Sequence, residues 1–249
     1  MLPAMSWPSL SLVIFAYNEA ENVGPTLQEA IDWLRQAVDD WELLVVDDGS
    51  SDGTADAARA AARATCTDAE APRVRVLSYR PNRGIGGALQ VGFGAATRDW
   101  LTMIPADGQV APGELDALLA AAASDSAIGL VTCHFPDRFR EADGRDRQLL
   151  SEGLKAVMWL STGVRRRLDG VYLLRRSLLQ VADARSESFF YNFELPIRLL
   201  RAGVQAAEVT IHVRPRRAGS SKVKNLRTIA RVGRELVRLG VALRLGVGR

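Results

Sequence analysis

Short apolar runs alternate with helical patterns along most of this chain. The apolar runs that predict buried strands lie at 10–16, 42–46, 73–78, 100–104, 127–133 and 204–211. Helical patterns lie between or after them, at about 19–38, 53–65, 84–96, 112–123, 149–162 and 191–202. This alternation predicts an α/β fold whose central sheet is mostly parallel and whose crossovers are right-handed.

Three of the predicted strands end directly in polar residues. The polar sets are Tyr17, Asn18 and Glu19, then Asp47 and Asp48, then Asp107 and Gln109. Because ligands bind at the carboxyl edge of open α/β sheets, we expect the three sets to converge on one site there. The adjacent Asp47 and Asp48 repel each other, so cations, hydroxyl groups or amide donors are expected beside them. The alternative for either acid alone is an N-cap of the helix that begins near Gly53.

Asp107 and Gln109 lie two residues apart on a predicted tight turn. Mg²⁺ prefers oxygen ligands, and it takes few protein carboxylates when phosphate oxygens complete its shell. One carboxylate and one side-chain amide therefore suit a divalent cation that is held jointly with a bound diphosphate. The alternative is a plain Asp-Gly turn.

Two further segments are rich in glycine or in basic residues. In Asn82–Gly87 the glycine spacing differs from the G-x-G-x-x-G pattern of dinucleotide-binding enzymes, which argues against hydride chemistry. Arg83 is expected to support an anion or the loop itself, unless the segment is only a closely packed helix start. The basic loop Arg214–Lys222 suits phosphate oxygens, unless it is merely solvated.

Charge is divided unevenly along the chain. The 249 residues, 47% of them hydrophobic, can form one large α/β domain with an appendage. Residues 212–249 carry 11 Lys or Arg and one acid, a net +10, whereas the remainder carries 21 bases and 28 acids, a net −7. A basic tail on an acidic domain predicts an anionic partner, either a membrane surface, a phosphate or a nucleic acid. No nucleic-acid-binding motif is present, so no nucleic-acid partner is expected.

The C-terminal segment has the pattern of a basic amphipathic helix. Its apolar positions are Leu226, Ile229, Ala230, Leu236, Val237 and Leu243, and Arg227, Arg231, Arg234 and Arg238 share a neighbouring face. Such a helix lies in a membrane interface or docks on the protein's own core. Residues 154–160 and the following Arg165–Arg167 allow the same two alternatives, and Trp159 favours the interface.

Nothing in the sequence predicts a segment that crosses or targets a membrane. Its apolar runs are shorter than the roughly 18 residues of a spanning helix, and no basic, apolar leader is present. Cys66 and Cys133 lack metal-ligand spacing, so buried thiols are expected rather than a disulfide. The expected compartment is the cytoplasm.

Taken together, these motifs resemble those of family 2 glycosyltransferases with a GT-A fold, above all the polyprenyl-phosphate branch that includes dolichyl-phosphate mannosyltransferase. The segments that carry the resemblance, in the family's order, are Ala16–Glu19, Val45–Ser50, Asn82–Gly84, Ala106–Gln109 and Arg216–Lys222. It implies a three-layer α/β/α domain over 1–225 with a mostly parallel sheet, followed by the amphipathic helix at 226–249. It also implies metal-dependent, inverting transfer of a sugar from a UDP- or GDP-sugar to polyprenyl phosphate, peripheral on the cytoplasmic face of the membrane.

The resemblance also implies roles for individual residues. The nucleotide sugar would be bound by Ala16, Tyr17, Glu19, Asp47, Asp48, Arg83, Gly84 and Asp107. Asp107 and Gln109 would bind Mg²⁺ or Mn²⁺. Asp107, Arg216 and Lys222 would be catalytic. The acceptor phosphate would be bound by Ser221 and Lys222 together with His134, Arg138 or Arg140.

Two departures from the family pattern leave other functions open. Pro105 stands where the metal motif usually has an acid, and His134 lies in a segment where many relatives have an arginine for the acceptor phosphate. One alternative is transfer to a hydroxyl group, for which Asp169 would be the base unless it is only a turn acid. The other is a non-catalytic protein that binds nucleotide sugars or serves as a membrane scaffold.

Overall fold

The computed structural model describes residues 7–136, 153, 156–218 and 226–245, without the side chains of residues 8 and 226–230. The strands are β1 Trp7–Ala16, β2 Val38–Asp47, β3 Val74–Ser78, β4 Trp100–Pro105, β5 Leu130–His134, β6 Tyr172–Arg175 and β7 Ala206–Thr210. They form one sheet in the order β3-β2-β1-β4-β6-β5-β7. All pairs are parallel except those that β6 makes with β4 and β5.

Helices cover both faces of the sheet. They are α1 Ala20–Ala37, α2 Thr54–Thr65, α3 Gly84–Ala95, α4 Leu115–Ala123, α5 156–162, α6 Leu179–Ala182, α7 Tyr191–Arg201 and α8 Leu226–Leu245. One apolar core joins the sheet to α1, α2 and α4, and a second joins its other face to α3, α6 and α7. The predicted three-layer α/β/α architecture with a mostly parallel sheet is therefore confirmed.

The alternating side chains of β1 show how the sheet holds its two cores. Leu10, Leu12 and Ile14 are fully buried on the α1 side, whereas Val13 packs against α3. Burial on both faces removes the polar alternation of a half-exposed strand, which is why the run reads as continuously apolar. The paired register brings Ala16 beside Asp47, so β1 and β2 end at the same edge.

Most predicted elements are present, but β6 was not expected. Its four residues are too few to show a period, and Tyr172, Leu173 and Leu174 are buried on both faces of the sheet. This short antiparallel strand separates β4 from β5, so the sheet widens beyond its parallel half.

The segment between α2 and β3 was predicted as a loop and contains only a short turn, Ala71–Arg73. It is fastened to α1 by Arg35, which donates to Glu70 at 2.8 Å and 2.7 Å and to the Thr65 carbonyl at 2.9 Å. These hydrogen bonds from the guanidinium lower the pKa of Glu70 to about 2.

The remaining expectations concern cysteine and the membrane. Cys66 and Cys133 are free thiols, as predicted, and Cys133 is buried whereas Cys66 is partly exposed. Among the described helices, none combines the length and the apolar content needed to cross a bilayer.

Candidate active site

The polar ends of β1, β2 and β4 meet in one cleft of about 410 Å³. Its walls are formed by Phe15, Tyr17, Glu19, Asp48, Asn82, Gly84, Ile85, Pro105, Ala106, Asp107, Gln109, Val110, Phe135, Asp169, Gly170, Val171, Phe189, Asn192, Val213 and Arg216. The predicted convergence at the carboxyl edge is therefore present, and it brings acids of three strands together with one arginine of the basic loop.

Asp48 is the acid that the surrounding loops satisfy most completely. Its Oδ1 accepts hydrogen bonds from the Tyr79 hydroxyl at 2.7 Å and the Arg83 backbone N–H at 2.8 Å. Its Oδ2 accepts from the Asn82 amide at 2.8 Å, and the same amide donates to the Asp48 carbonyl at 3.0 Å. Burial raises the pKa of Asp48 and the Asp47 charge adds to the rise, although the hydrogen bonds oppose it. The hydroxyl and amide donors expected beside the acid pair are thus present.

Asp47 faces a different cavity from its neighbour. It lines a separate space of about 530 Å³ with Ser50 and Tyr79, and its Oδ1 accepts the Ser50 N–H at 3.1 Å. Neither Asp47 nor Asp48 caps α2, which begins after Gly53. The acid at that helix start is Asp52, which accepts the Thr54 N–H at 3.1 Å.

Glu19 connects the first strand to the basic loop. It is buried, its Oε2 accepts the Asn22 amide at 2.7 Å, and its Oε1 accepts a hydrogen bond from Arg216. Tyr17 extends from the same strand end and is 40% exposed on the cleft wall. Ala16 lies beneath the cleft, where its carbonyl accepts the Asp48 N–H at 2.9 Å.

Asp107 and Gln109 lie on the turn after β4, as predicted. The Gln109 backbone N–H donates to Asp107 Oδ1 at 3.0 Å, which closes the turn. Arg216 Nη1 lies 3.6 Å from Asp107 Oδ2, so one guanidinium touches the acids of β1 and β4. Arg214 anchors this part of the basic loop by donating to the Gly108 carbonyl at 2.5 Å.

A divalent cation fits these donors only together with a ligand. Within the described ranges, no group of three or more His, Cys, Asp and Glu side chains is placed to hold a metal ion. The carboxylate of Asp107 and the amide of Gln109 are both hard oxygen donors on the cleft wall, whereas Pro105 supplies none. This donor set suits Mg²⁺ or Mn²⁺ if phosphate oxygens complete the coordination shell.

The glycine-rich segment packs against the loop at 184–190 instead of exposing its arginine to the cleft. Arg83 donates to Glu187 Oε1 through Nε at 2.8 Å, and only its backbone N–H reaches Asp48. Gly84 lines the cleft at the start of α3. A methyl group at Gly86 would lie 2.2 Å from the Ser186 carbonyl oxygen, so α3 can approach this loop only without a side chain there.

A carboxylate–imidazole pair lies where the end of β5 borders the cleft. Asp169 lines the cleft, and its Oδ2 accepts the Phe135 N–H at 2.9 Å and lies 2.8 Å from His134 Nδ1. His134 is absent from the cleft wall and contacts it through Asp169. The other predicted acceptor residues, Arg138, Arg140, Ser221 and Lys222, lie outside the described residues.

Sequence reasoning missed several residues of the cleft wall. Phe135 follows β5, whereas Phe189 and Asn192 come from the loop before α7 and from its first turn. The missed signal was the aromatic run Phe189–Tyr191, since pockets are lined mainly by hydrophobic and aromatic side chains; of these three residues Phe189 lines the cleft.

The chain is similar to known proteins over most of its length. The model of glycosyl transferase family 2 matches residues 11–182. The chain is 30% identical to undecaprenyl-phosphate mannosyltransferase of Micrococcus luteus, over 85% of this chain and 86% of the relative. It is 28% identical to undecaprenyl-phosphate 4-deoxy-4-formamido-L-arabinose transferase of Sodalis glossinidius, over 92% of this chain but only 67% of the relative.

A solved structure shows the same fold. Glucosyl-3-phosphoglycerate synthase from Mycobacterium tuberculosis, in complex with Mn²⁺, UDP and glucosyl-3-phosphoglycerate, is similar with a TM-score of 0.65 at 24% identity. The similarity covers 97% of this chain and 81% of that chain. The architecture is the GT-A fold.

Proposed function

Because the chain belongs to glycosyl transferase family 2 and is a glycosyltransferase, we propose that it transfers a sugar from a nucleotide sugar to a polyprenyl phosphate. The observation that carries this proposal is the meeting of three strand-end acids with Arg216 in a single cleft. Two similar proteins are named as undecaprenyl-phosphate sugar transferases, which supports the same acceptor class here.

The donor half of the cleft suits a UDP- or GDP-sugar. We assign the nucleoside to Tyr17, Glu19 and Asp48, whose aromatic ring and carboxylates line the cleft and can meet a base and ribose hydroxyls. The Ala16 carbonyl holds the Asp48 backbone N–H, and we assign Asp47 and Gly84 to the edges of the same nucleotide-sugar site. Arg83 contributes its backbone N–H to Asp48.

The leaving diphosphate belongs at Asp107, Gln109 and Arg216. A Mg²⁺ or Mn²⁺ ion held by Asp107 and Gln109 would neutralise the charge that develops on the leaving group. Arg216 stands 3.6 Å from Asp107, where its planar fork can bind phosphate oxygens. Lys222 follows in the same loop, beyond the described residues, and we assign it to the same phosphates.

The acceptor needs little activation. A phosphate oxygen is ionised at neutral pH and is already a nucleophile, so catalysis rests on position and charge. A single in-line displacement inverts the anomeric carbon. Since polyprenyl phosphates reside in membranes, we place the enzyme peripherally on the cytoplasmic face, with Ser221, Lys222 and His134, Arg138 or Arg140 near the acceptor phosphate.

One observation favours a second candidate, which is transfer to a hydroxyl group. Asp169 lines the cleft and is oriented by His134 at 2.8 Å, an arrangement that suits a base. The substitution Asp169→Asn separates the two functions, because it should abolish transfer to a hydroxyl group and barely change transfer to a phosphate.

A donor screen tests the proposal. Purified chain is mixed with Mg²⁺ or Mn²⁺, a short polyprenyl phosphate and each common UDP-, GDP- or dTDP-sugar, and glycolipid is measured by mass spectrometry. The expected product disappears with EDTA and in Asp107→Ala. It persists in the matched control Asp116→Ala, since Asp116 is an exposed acid on α4 outside the cleft wall.

The negative outcomes of the screen are also informative. Nucleotide binding without turnover across all donors and acceptors would favour a non-catalytic protein and refute the proposal. Turnover with a hydroxyl acceptor alone, lost in Asp169→Asn, would replace it with the second candidate.

A further inference from the structure

The described surface concentrates its exposed large hydrophobic side chains on two helices. Of the seven such side chains, five lie on α5 and α8, with exposed fractions between 43% and 71%. They are Trp159, Leu160, Val237, Val241 and Leu245, which we call the apolar ridge. Large contiguous apolar patches mark interaction sites, whereas single exposed apolar residues are normal on protein surfaces.

Helix α8 has two apolar faces, and only one of them serves the fold. Val232, Leu236 and Leu239 are buried in a cluster with Met158 of α5 and Ile197 of α7. The amphipathic pattern is thereby satisfied by docking on the protein, which is one of the two alternatives read from the sequence.

The outer face of α8 remains without such a partner among the described residues. Val241 lies nine residues after Val232, which is about two and a half helical turns and therefore the opposite side of the helix. Val237 and Leu245 lie four residues on either side of Val241, on the same face. The exposed fractions are 51% for Val237, 49% for Val241 and 71% for Leu245. Docking on the core thus leaves a second apolar stripe facing outward.

Helices α5 and α8 touch, so their exposed residues form one surface. Arg244 donates to the Leu160 carbonyl at 2.8 Å. A methyl group at Gly240 would lie 2.3 Å from the Ser161 carbonyl oxygen, so the α8 backbone rests directly on the end of α5. Trp159 and Leu160 are therefore continuous with the stripe on α8.

The charges around the apolar ridge indicate which kind of partner binds there. Arg231, Arg234, Arg238 and Arg244 are all exposed on α8, and Arg165 stacks over the Trp159 ring at 4.5 Å from its centroid. Arginine stems can lie along acyl chains while the guanidinium groups reach lipid phosphates, and tryptophan is enriched at the same depth. Aliphatic residues framed by arginines match an anionic bilayer surface, whereas the cores of protein interfaces are depleted of charge.

The apolar ridge also lies close to the proposed acceptor side. Ser188 donates to Glu235 of α8 at 2.9 Å, and the next residue, Phe189, lines the cleft while packing in the cluster beneath α8.

We propose that the apolar ridge and its arginines are the surface by which this protein docks on an anionic lipid bilayer. The inference rests on the proposed transfer to a lipid phosphate, because docking there would hold the cleft near that acceptor.

Vesicle binding by the full chain tests the docking surface. Flotation with vesicles of phosphatidylcholine alone, or mixed with phosphatidylglycerol, is compared for the wild type, Val241→Glu/Leu245→Glu and Arg234→Gln/Arg238→Gln. Each lost aliphatic contact should weaken binding by about tenfold or more. Loss of Arg234 and Arg238 should reduce the preference for phosphatidylglycerol by roughly tenfold or more, since each arginine contributes about 1 kcal/mol. The matched control is Val181→Glu on α6, a valine 53% exposed away from the apolar ridge, which should bind like the wild type.

Transfer to a short, water-soluble polyprenyl phosphate without vesicles separates this proposal from the proposed function. Ridge variants that lose vesicle binding but keep this activity support the docking surface. Vesicle binding that the ridge variants share with the wild type overturns it, even if transfer occurs. If the wild type does not bind vesicles but forms a dimer that Val241→Glu dissociates, the surface binds a second copy of the chain. That result also overturns the proposed docking on a bilayer. Ridge-dependent vesicle binding without transfer by any donor would leave docking supported and the proposed function refuted.

Discussion

Replacing one carboxylate oxygen of Asp48 should destabilise the fold, whereas the same change at Asp47 should not. In Asp48→Asn, Oδ1 can still accept from Tyr79 and the Arg83 backbone, but the new amide points at the Asn82 amide. Rotating the Asn82 amide by 180° would not solve the problem. The Asn82 oxygen would then face the backbone carbonyl of residue 48, to which the Asn82 NH₂ group now donates at 3.0 Å. The variant therefore leaves a buried donor or acceptor unsatisfied in either orientation.

The magnitude follows from that lost partner. A buried polar group without a hydrogen bond costs about 1–3 kcal/mol. For a chain of this length, that corresponds to a fall of roughly 2–12 °C in Tm. Asp47→Asn is the matched control, because Asp47 accepts one backbone N–H at 3.1 Å and faces a solvent-accessible cavity in which an amide can be hydrated. Replacing the Asp47 carboxylate by an amide also removes its charge repulsion with Asp48.

Thermal and urea unfolding of the two variants, at neutral pH and without ligand, measure the difference. Asp48→Asn should unfold at lower temperature and lower urea concentration, with an unchanged dependence on urea. Equal effects of both substitutions would refute the reasoning, since the carboxylate of Asp48 accepts three hydrogen bonds and that of Asp47 accepts one. A stabilised Asp48→Asn would show instead that burial of its charge outweighs its hydrogen bonds.

Three further predictions concern other parts of the fold. Gly86→Ala should destabilise by about 1–3 kcal/mol through overpacking, whereas Gly94→Ala in the same helix, with open space around it, should stabilise by about 0.5–1 kcal/mol; urea unfolding compares them. Glu70 has a lowered pKa, so its contribution to stability is present above the unfolded value of 4.5 and lost as pH falls toward about 2; Glu70→Gln should flatten that part of the stability–pH curve. Burial raises the pKa of the Cys66 thiol, so a thiol reagent should modify Cys66 slowly in the native protein and Cys133 only after unfolding; rapid modification of both would contradict the fold.

The sequence was sufficient to predict which strand ends form the cleft. Strand-end acids stand out because an apolar run directly precedes each one, and parallel strands share their carboxyl edge. That topology brings the ends of β2 and β4 to the same edge, where Asp48 and Asp107 both line the cleft. The different directions of Asp47 and Asp48 follow from the alternation of a strand, but choosing which acid faces the cleft required the packed loops.

Contacts between distant segments could not be predicted. Arg216 meets Glu19 across 197 positions of the chain, and Arg83 meets Glu187 across 104. Neither pairing leaves a periodic trace, because both are set by where loops return over the sheet. Helix α8 shows the same limit in another form. Its pattern revealed an amphipathic helix, but Val237 was grouped with Leu236, and only tertiary packing shows that these neighbours point to opposite environments.

The contact of Arg216 with both Glu19 and Asp107 places a positive charge of the protein itself beside two acids of the cleft. The arginine partly neutralises both carboxylates, which lowers the repulsion between the acids of the cleft. Under the proposed function, binding of a diphosphate with its cation would be an exchange, in which Arg216 trades carboxylate oxygens for phosphate oxygens. A free cation, which offers the arginine no new anion, must compete with it for Asp107. We therefore expect the metal to enter mainly as a complex with the nucleotide, which gives the order of binding a basis in one side chain.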